Sequence, residues 1–160
     1  MLTVSIICIG KLKEKYLRDA YNEYAKRLGA FCKLQLIELD ETRISDKPSQ
    51  KEIDLVVEKE GEKILSKIPQ TASVVALCIE GKQWSSEELS NFVADQPNKG
   101  VSHIAFIIGG SYGLSPEVKA RAGVKLSFSK MTFPHQLFRV LLTEQIYRAF
   151  QIAKGSPYHK

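Results

Sequence analysis

Short apolar runs alternate with longer amphipathic segments along the whole chain, and this alternation restricts the fold more than any other feature. An apolar run of strand length is typical of a β-strand that is buried on both faces. The predicted strands cover 2–9, 34–39, 74–79, 104–108 and 124–128. Because helical segments separate these strands, the sequence predicts an α/β fold with a mostly parallel sheet flanked by helices on both faces.

The segments between the strands are predicted helices. They cover 13–28, 49–68, 85–93, 116–122 and the residues that follow Pro134. Ser49 stands three residues before Glu52, which is the pattern of a capping box at a helix start. Gly29 suits the C-terminal end of the first helix. The polar stretch 40–50 lies between a strand and a helix, and it is the best candidate for a mobile loop.

Size and composition indicate one domain without a membrane-spanning segment. A chain of 160 residues can bury roughly 70% of its unfolded surface as one domain, 1–160. No apolar run approaches the roughly 20 residues that span a bilayer, and the N-terminus lacks the basic lead of a signal peptide. We therefore expect a cytoplasmic protein. The net charge of +5 and the pI near 9.1 permit an anionic partner without identifying one.

The cysteines and histidines argue against a metal site. They are scattered along the chain, and no two cysteines form a CxxC motif: Cys8, Cys32, Cys78, His103, His135 and His159. A structural zinc site needs clustered ligands, and a disulfide framework usually has an even number of cysteines. We therefore expect neither a bound metal nor a disulfide framework.

A glycine-rich turn, GGSYG at 109–113, directly follows the fourth predicted strand and precedes a helix. Glycines at such a turn let a ligand approach the backbone, although a plain turn that needs positive φ explains them equally well. The turn matches neither GxGxxG nor GxxxxGK[ST], which disfavours a dinucleotide or triphosphate site. Ligands favour the carboxyl ends of parallel strands, and the turn 80–82 after another strand would face the same end.

A second loop, 128–135, leads into the last helix. Its sequence predicts a helix entry with Thr132 near the N-cap and Pro134 in the first turn. Met131 and Phe133 are large apolar residues in a loop where polar residues would suffice. They could form the wall of an adenine site, although packing under the loop explains them equally well.

The last helix has an apolar surface wider than one stripe, so we expect both the sheet and a second subunit to cover it. His135 and Arg139 are four residues apart and lie on one face, which suits a proton acceptor with a phosphate partner. Glu144 and Arg148 are predicted to form a modest ion pair. The tail 157–160 is expected to fray, although its Tyr158, His159 and Lys160 could contact a base and phosphate.

Several motifs, taken in order, resemble the SPOUT class of methyltransferases and specifically its RlmH family. They are IGKLKEKY (9–16), KEGEKIL (59–65), ALCIEGK (76–82), FIIGGSYGL (106–114), SFSKMTFPH (127–135), EQIYRAF (144–150) and PYHK (157–160). The resemblance covers the whole chain. It departs only at Cys78, where other members often carry an acidic residue, and we expect no functional consequence.

The resemblance implies methylation of N3 of a pseudouridine in 23S ribosomal RNA, recognised on the assembled ribosome. It also implies an obligate homodimer and a C-terminal trefoil knot, which general topology rules would not predict. S-adenosyl-L-methionine would be the methyl donor, and no metal is expected. The residues that match its site in the family are Leu77, Gly109, Phe128, Ser129, Lys130, Met131, Thr132 and Phe133.

For catalysis, His135 is the first candidate to accept the N3 proton, with Arg139 orienting the base or its phosphate. Tyr158 and His159 are second candidates, delivered from the partner subunit. Basic residues that could hold RNA phosphate are Lys11, Lys13, Lys15, Arg18, Arg139 and Lys154. The alternatives are a SPOUT methyltransferase for another ribosomal or transfer RNA site and a non-catalytic RNA-binding or ribosome-assembly factor. An NAD-type oxidoreductase is disfavoured by the missing fingerprint.

Overall fold

A computed structural model describes residues 1–160, and its centre is a five-stranded sheet in which all pairings between strands are parallel. The strands are β1 (Thr3–Ile9), β2 (Lys33–Leu39), β3 (Ser73–Gln83), β4 (His103–Ile108) and β5 (Val124–Ser127). Their order across the sheet is β2-β1-β4-β3-β5. The parallel α/β architecture predicted from the sequence is confirmed.

The helices are α1 (Lys15–Leu28), α2 (Gln50–Lys67), α3 (Ser86–Asp95), α4 (Pro116–Arg121) and α5 (His135–Lys154). Ser49 begins α2 with the predicted capping box, and Ser85 begins α3 in the same way. A short 3₁₀ helix, Pro97–Lys99, was not predicted. No helix is both long enough and apolar enough to cross a membrane.

The inner strands β1 and β4 read as apolar runs because both of their faces are covered. Ile6 and Phe106 point into one hydrophobic cluster, and Ile7 and Ile107 point into a second cluster on the other face of the sheet. All four side chains are fully buried. Burial on both faces removes the alternation of polar and apolar residues that a half-exposed strand shows.

The helix α5 packs against both α1 and α3. Its buried apolar residues include Leu142 and Ile146, which contact the larger cluster, while Tyr147 and Phe150 remain half-buried. The predicted entry to this helix is wrong in one detail. Pro134 is the N-cap residue and does not lie in the first turn, and no side chain caps the helix there. A proline ring offers no acceptor for the first amides, so that helix end stays open to other partners.

β3 extends beyond its predicted end at Ile79. It continues to Gln83, but its pairing with β5 shifts register between Leu77 and Lys82. Gly81 lies at this irregularity, where an added Cβ would stand 2.7 Å from the Lys125 backbone. The strand therefore passes β5 closely at Gly81, and the residues before it bulge out at the carboxyl end of the sheet.

Candidate functional site

The carboxyl ends of β3, β4 and β5 open onto one cavity of about 300 Å³. The glycine-rich turn, the loop before α5 and the bulge of β3 all contribute to its wall. Of the eight residues predicted to contact the methyl donor, all except Lys130 line this cavity: Leu77, Gly109, Phe128, Ser129, Met131, Thr132 and Phe133. The structure thus brings together two loops that are distant in sequence, at the edge of the sheet where parallel strands place ligands.

The glycine-rich turn is tight at its start. A Cβ on Gly109 would stand 2.9 Å from both the carbonyl carbon and the oxygen of Gly113. A Cβ on Gly110 would stand 2.8 Å from a carboxylate oxygen of Glu60. Gly113 has a φ of +85°, a conformation that glycine adopts most readily. The glycines therefore meet a backbone requirement of the turn, and they also line the cavity, so its use as a ligand site stays a prediction.

Glu60 supports the glycine-rich turn from behind. It is almost fully buried, and its Oε2 accepts a hydrogen bond from the Thr42 amide at 3.4 Å. Burial raises the pKa of the Glu60 carboxyl, and the bond from Thr42 partly opposes this effect. Sequence analysis did not single out Glu60, because a Glu on an amphipathic helix normally faces solvent.

The loop before α5 lines the cavity and has several unpaired backbone amides. Among the amides of residues 129–133, only that of Met131 donates a hydrogen bond within the protein, and its acceptor is the Ser129 hydroxyl. Phe133 stacks on Phe138 at 6.1 Å between ring centroids, so packing accounts for part of its role. Met131 is 76% exposed and lines the cavity without such packing. Free amides beside apolar walls suit a flat, nitrogen-rich ring.

His135, the first residue of α5, lines the same cavity and is half-buried. Burial lowers the pKa of its imidazole below the ordinary value of 6.5, and the neighbouring Arg139 lowers it further, while Glu41 raises it. The ring is therefore neutral at physiological pH. A neutral imidazole beside a ligand cavity can accept a proton.

Arg139 lies in the interior and not on the surface. Its side chain is fully buried, and its Nη1 donates to Glu38 Oε2 at 2.8 Å. Its Nη2 donates to the carbonyl of Gly10 at 3.2 Å. The prediction that Arg139 contacts RNA phosphate from the surface is wrong, because the guanidinium is enclosed and its Nη1 and Nη2 already bond acceptors within the protein. Only its buried Nε has no hydrogen-bond partner. Arg139 lies one turn after His135 and acts on the imidazole through its charge.

Two charged residues line the cavity, and the sequence analysis placed only the turn 80–82 at this end of the sheet. Glu80, in the β3 bulge, and Lys119, in α4, both line the cavity and form an ion pair with each other. The Lys119 ammonium is the main cause that lowers the pKa of the Glu80 carboxyl. Cys78 lines the same wall, and burial raises the pKa of its thiol. Glu80 belongs to the ALCIEGK motif, but Lys119 belongs to none of the motifs, so only the fold reveals that the two residues meet.

The tail packs against α5, so the expected fraying is wrong. Arg148 donates to His159 Nδ1 at 3.0 Å, which leaves the proton on Nε2 to bond Glu87 at 2.6 Å. The Tyr158 hydroxyl bonds Glu144 at 3.4 Å, and its ring meets Tyr147 edge-on. The predicted Glu144–Arg148 ion pair is confirmed at 2.6 Å. None of the tail residues lines the cavity of its own chain.

No group of three or more His, Cys, Asp or Glu side chains is placed to hold a metal ion, and all three cysteines are free. The cavity instead combines apolar walls, glycines that admit a ligand to the backbone, and free amides. These features fit an adenosine group with an aliphatic sulfur chain, which is the structure of S-adenosylmethionine.

Comparison with known proteins identifies the class. A solved structure described as a probable methylase family protein, from Haemophilus influenzae, superimposes with a TM-score of 0.53 and 12% sequence identity. The match covers 99% of this chain and 70% of that one, and it establishes the fold alone. A family model described as "Predicted SPOUT methyltransferase" matches residues 2–159. The chain therefore belongs to the SPOUT methyltransferase family.

Relatives that match over their full length identify the branch of the SPOUT family to which the chain is most similar. The chain is 58% identical to a ribosomal RNA large subunit methyltransferase H from Clostridium acetobutylicum, and the match covers 99% of this chain and 100% of the relative. Proteins of the same name from Clostridium beijerinckii and Clostridioides difficile are 55% and 52% identical with the same coverage. The resemblance to the RlmH family, first recognised from seven motifs, is confirmed across the whole chain.

Proposed function

We propose that this protein is a homodimeric enzyme that methylates N3 of a pseudouridine in 23S ribosomal RNA, on assembled ribosomes in the cytoplasm. The observation that carries the proposal is the shared cavity, where the two predicted cofactor loops and His135 meet. The names of relatives more than 50% identical over their whole length support ribosomal RNA of the large subunit as the substrate. The position within that RNA follows from the RlmH resemblance.

S-adenosylmethionine is the methyl donor of this class. Leu77, Gly109 and the loop from Phe128 to Phe133 would hold it, with the unpaired amides of that loop recognising its adenine and ribose. When bound, it supplies a sulfonium methyl group that is already activated for transfer. The protein then needs mainly to place the attacking nitrogen of the RNA in line with that methyl group and to exclude water.

The N3 atom of pseudouridine carries a proton that it must lose on methylation. His135 is placed to accept this proton, because its imidazole is neutral and lies in the cavity wall. Arg139 sits one turn behind it and is a positioning residue in this proposal. It fixes the start of α5 by bonding Glu38 and the carbonyl of Gly10, and it disfavours a protonated His135 before substrate arrives.

A second copy of the chain would complete the site. Tyr158 and His159 lie outside the cavity of their own chain, so they can contribute to catalysis only from a partner. The half-buried aromatic residues of α5, Tyr147 and Phe150, suit coverage by such a partner. Membership of the SPOUT family further supports a C-terminal trefoil knot around the cavity.

Contact with RNA phosphate would come from the segment before α1. Lys11 and Lys13 are exposed, and their ammonium groups form no ion pair within the chain. Lys15 is less available because it pairs with Asp19 at 2.7 Å. Arg18 donates to the Lys13 carbonyl at 2.7 Å. Binding through such groups would weaken steeply as the salt concentration rises.

Deletion and re-supply of the gene, with mass spectrometry of ribosomal RNA nucleosides, tests the proposal. We expect methylated pseudouridine to disappear from 23S RNA and to return on re-supply. Loss of a different methylated nucleoside would assign the enzyme to another RNA site. An unchanged RNA together with no calorimetric binding of S-adenosylmethionine at micromolar protein would identify a non-catalytic assembly factor.

A further inference from the structure

The wall of the cavity carries two side chains of opposite charge, Glu80 and Lys119. Glu80 and Lys119 are the only lining side chains that carry a full charge at neutral pH, since the pKa of His135 is lowered and the other lining residues are uncharged. Glu80 comes from the bulge of β3, and Lys119 comes from α4. The part of the cavity next to Glu80 and Lys119 is therefore complementary in charge to a ligand that carries a cationic group and an anionic group at one end.

The ion pair between these residues is not needed to hold α4 in place. Arg121 Nη2 donates to the carbonyls of Pro69, Gln70 and Ala72 at 3.2–3.3 Å, and these three bonds secure the end of the helix. Val118 anchors its middle, because that side chain is fully buried. Glu80 and Lys119 can thus change partners without releasing the helix.

Breaking the Glu80–Lys119 ion pair to form new ion pairs with a ligand also costs little free energy. The Lys119 side chain is 33% exposed and that of Glu80 is 58% exposed. Ion pairs with this exposure contribute only about 0–1 kcal/mol, because water already solvates both groups. A ligand that offers each residue a new partner of opposite charge therefore has little to overcome.

We propose that Lys119 and Glu80 bind the amino-acid end of the methyl donor. The Lys119 ammonium would pair with the α-carboxylate of the ligand, and the Glu80 carboxylate would pair with its α-ammonium group. Each residue exchanges its partner in the free protein for one on the ligand, so no charge is left unpaired. This inference rests on the proposed function, because it requires an adenosyl amino acid as the ligand.

Calorimetric binding of two ligands tests the inference without measuring activity. S-adenosylhomocysteine carries the amino-acid end, whereas 5′-methylthioadenosine has the same adenosine and a thioether but lacks that end. We expect Lys119→Ala and Glu80→Gln each to weaken S-adenosylhomocysteine binding by about tenfold, the size of one lost charge-assisted contact. Both variants should bind 5′-methylthioadenosine as the wild type does, which also demonstrates that they are folded.

Lys99→Ala is the matched control. Lys99 also forms an ion pair, with Asp95 at 3.0 Å, but it does not line the cavity, so neither affinity should change. Equal weakening of both ligands in Lys119→Ala would overturn the inference and assign the pair a structural role. Equal affinity of the wild type for the two ligands would also overturn it, while leaving the proposed function intact. Failure of the wild type to bind either ligand would remove the proposed function itself.

Discussion

Arg139 in α5 donates to Glu38 in β2 at 2.8 Å, across a sequence separation of 101 residues. The two ends of this ion pair differ in their access to water, because the Arg139 side chain is fully buried and that of Glu38 is 27% exposed. Glu38 also accepts a hydrogen bond from the Leu12 amide at 2.9 Å. The ion pair therefore connects β2 to α5, the helix that begins at His135.

This asymmetry predicts which partner is more costly to change. Glu38→Gln leaves a charged guanidinium enclosed without its counter-ion, and we expect it to destabilise the fold by about 3 kcal/mol. Arg139→Met leaves a carboxylate that can reach water, so we expect a loss of about 1–2 kcal/mol. Urea unfolding at one fixed protein concentration measures both. Asp19→Asn, which removes an exposed ion pair with Lys15, should change the stability by less than about 0.5 kcal/mol. A larger loss in Arg139→Met than in Glu38→Gln would contradict this account.

The glycine-rich turn should be sensitive to a single methyl group. In Gly109→Ala the new Cβ would press on the Gly113 backbone, so the turn must shift and the cavity must change shape. We expect the affinity for S-adenosylhomocysteine to fall by at least about tenfold, because the ligand can no longer come as close to the backbone of the turn. Gly100→Ala is the control, because Gly100 has a φ of +76° with open space around it. That variant should lose about 1 kcal/mol of stability and bind normally. Unchanged binding by Gly109→Ala would exclude the turn from the site.

His135 should control the rate of methyl transfer. If it accepts the N3 proton, His135→Ala should lower the single-turnover rate with bound S-adenosylmethionine by about 10²–10⁴-fold. His103→Gln provides a histidine control, because His103 lies at the start of β4 and contacts Ser5 at 2.6 Å, away from the cavity. A near-normal rate in His135→Ala would assign the proton to another group.

The pH dependence of the same step has a defined sign. The base must be neutral, and burial holds the pKa of His135 below 6.5. The rate should therefore stay level as the pH falls from 8 to 6.5 and decline only at lower pH. Glu41 raises this pKa, so Glu41→Gln should move the decline to still lower pH. A decline that begins above pH 7, or one that Glu41→Gln moves upward, would be inconsistent with His135 as the base.

Local patterns predicted the strands well, because burial on both faces leaves a signal in neighbouring residues such as Ile6 and Ile7. The residues of the glycine-rich turn and of the loop 128–135 marked both as candidate ligand loops, but only the resemblance to a family assigned them to S-adenosylmethionine. Burial of Arg139 was missed, since its partner Glu38 is distant in sequence and a helix-face pattern cannot distinguish a paired arginine from a solvated one. Docking of the tail was missed for the same reason, because His159 bonds Glu87 in α3.

The tail provides the sharpest test of the proposed dimer. Tyr158 and His159 are held against α5 by Glu144, Arg148 and Glu87, outside the cavity of their own chain. If they act on the partner's RNA, a chain with a defective cavity can still supply a working tail. We therefore expect a dimer of one His135→Ala chain and one Tyr158→Ala/His159→Ala chain to recover activity.

Co-expression with two affinity tags isolates this mixed dimer. Its one complete site combines the intact cavity of the tail variant with the intact tail of the His135→Ala chain. By the two-fold symmetry of such dimers, about half of the wild-type single-turnover amplitude should return, whereas each parent dimer stays inactive. Recovery requires the tail to cross between subunits. If the tail served its own cavity, the mixed dimer would contain no complete site and would be as inactive as its parents, and a monomeric protein would yield no doubly tagged species at all.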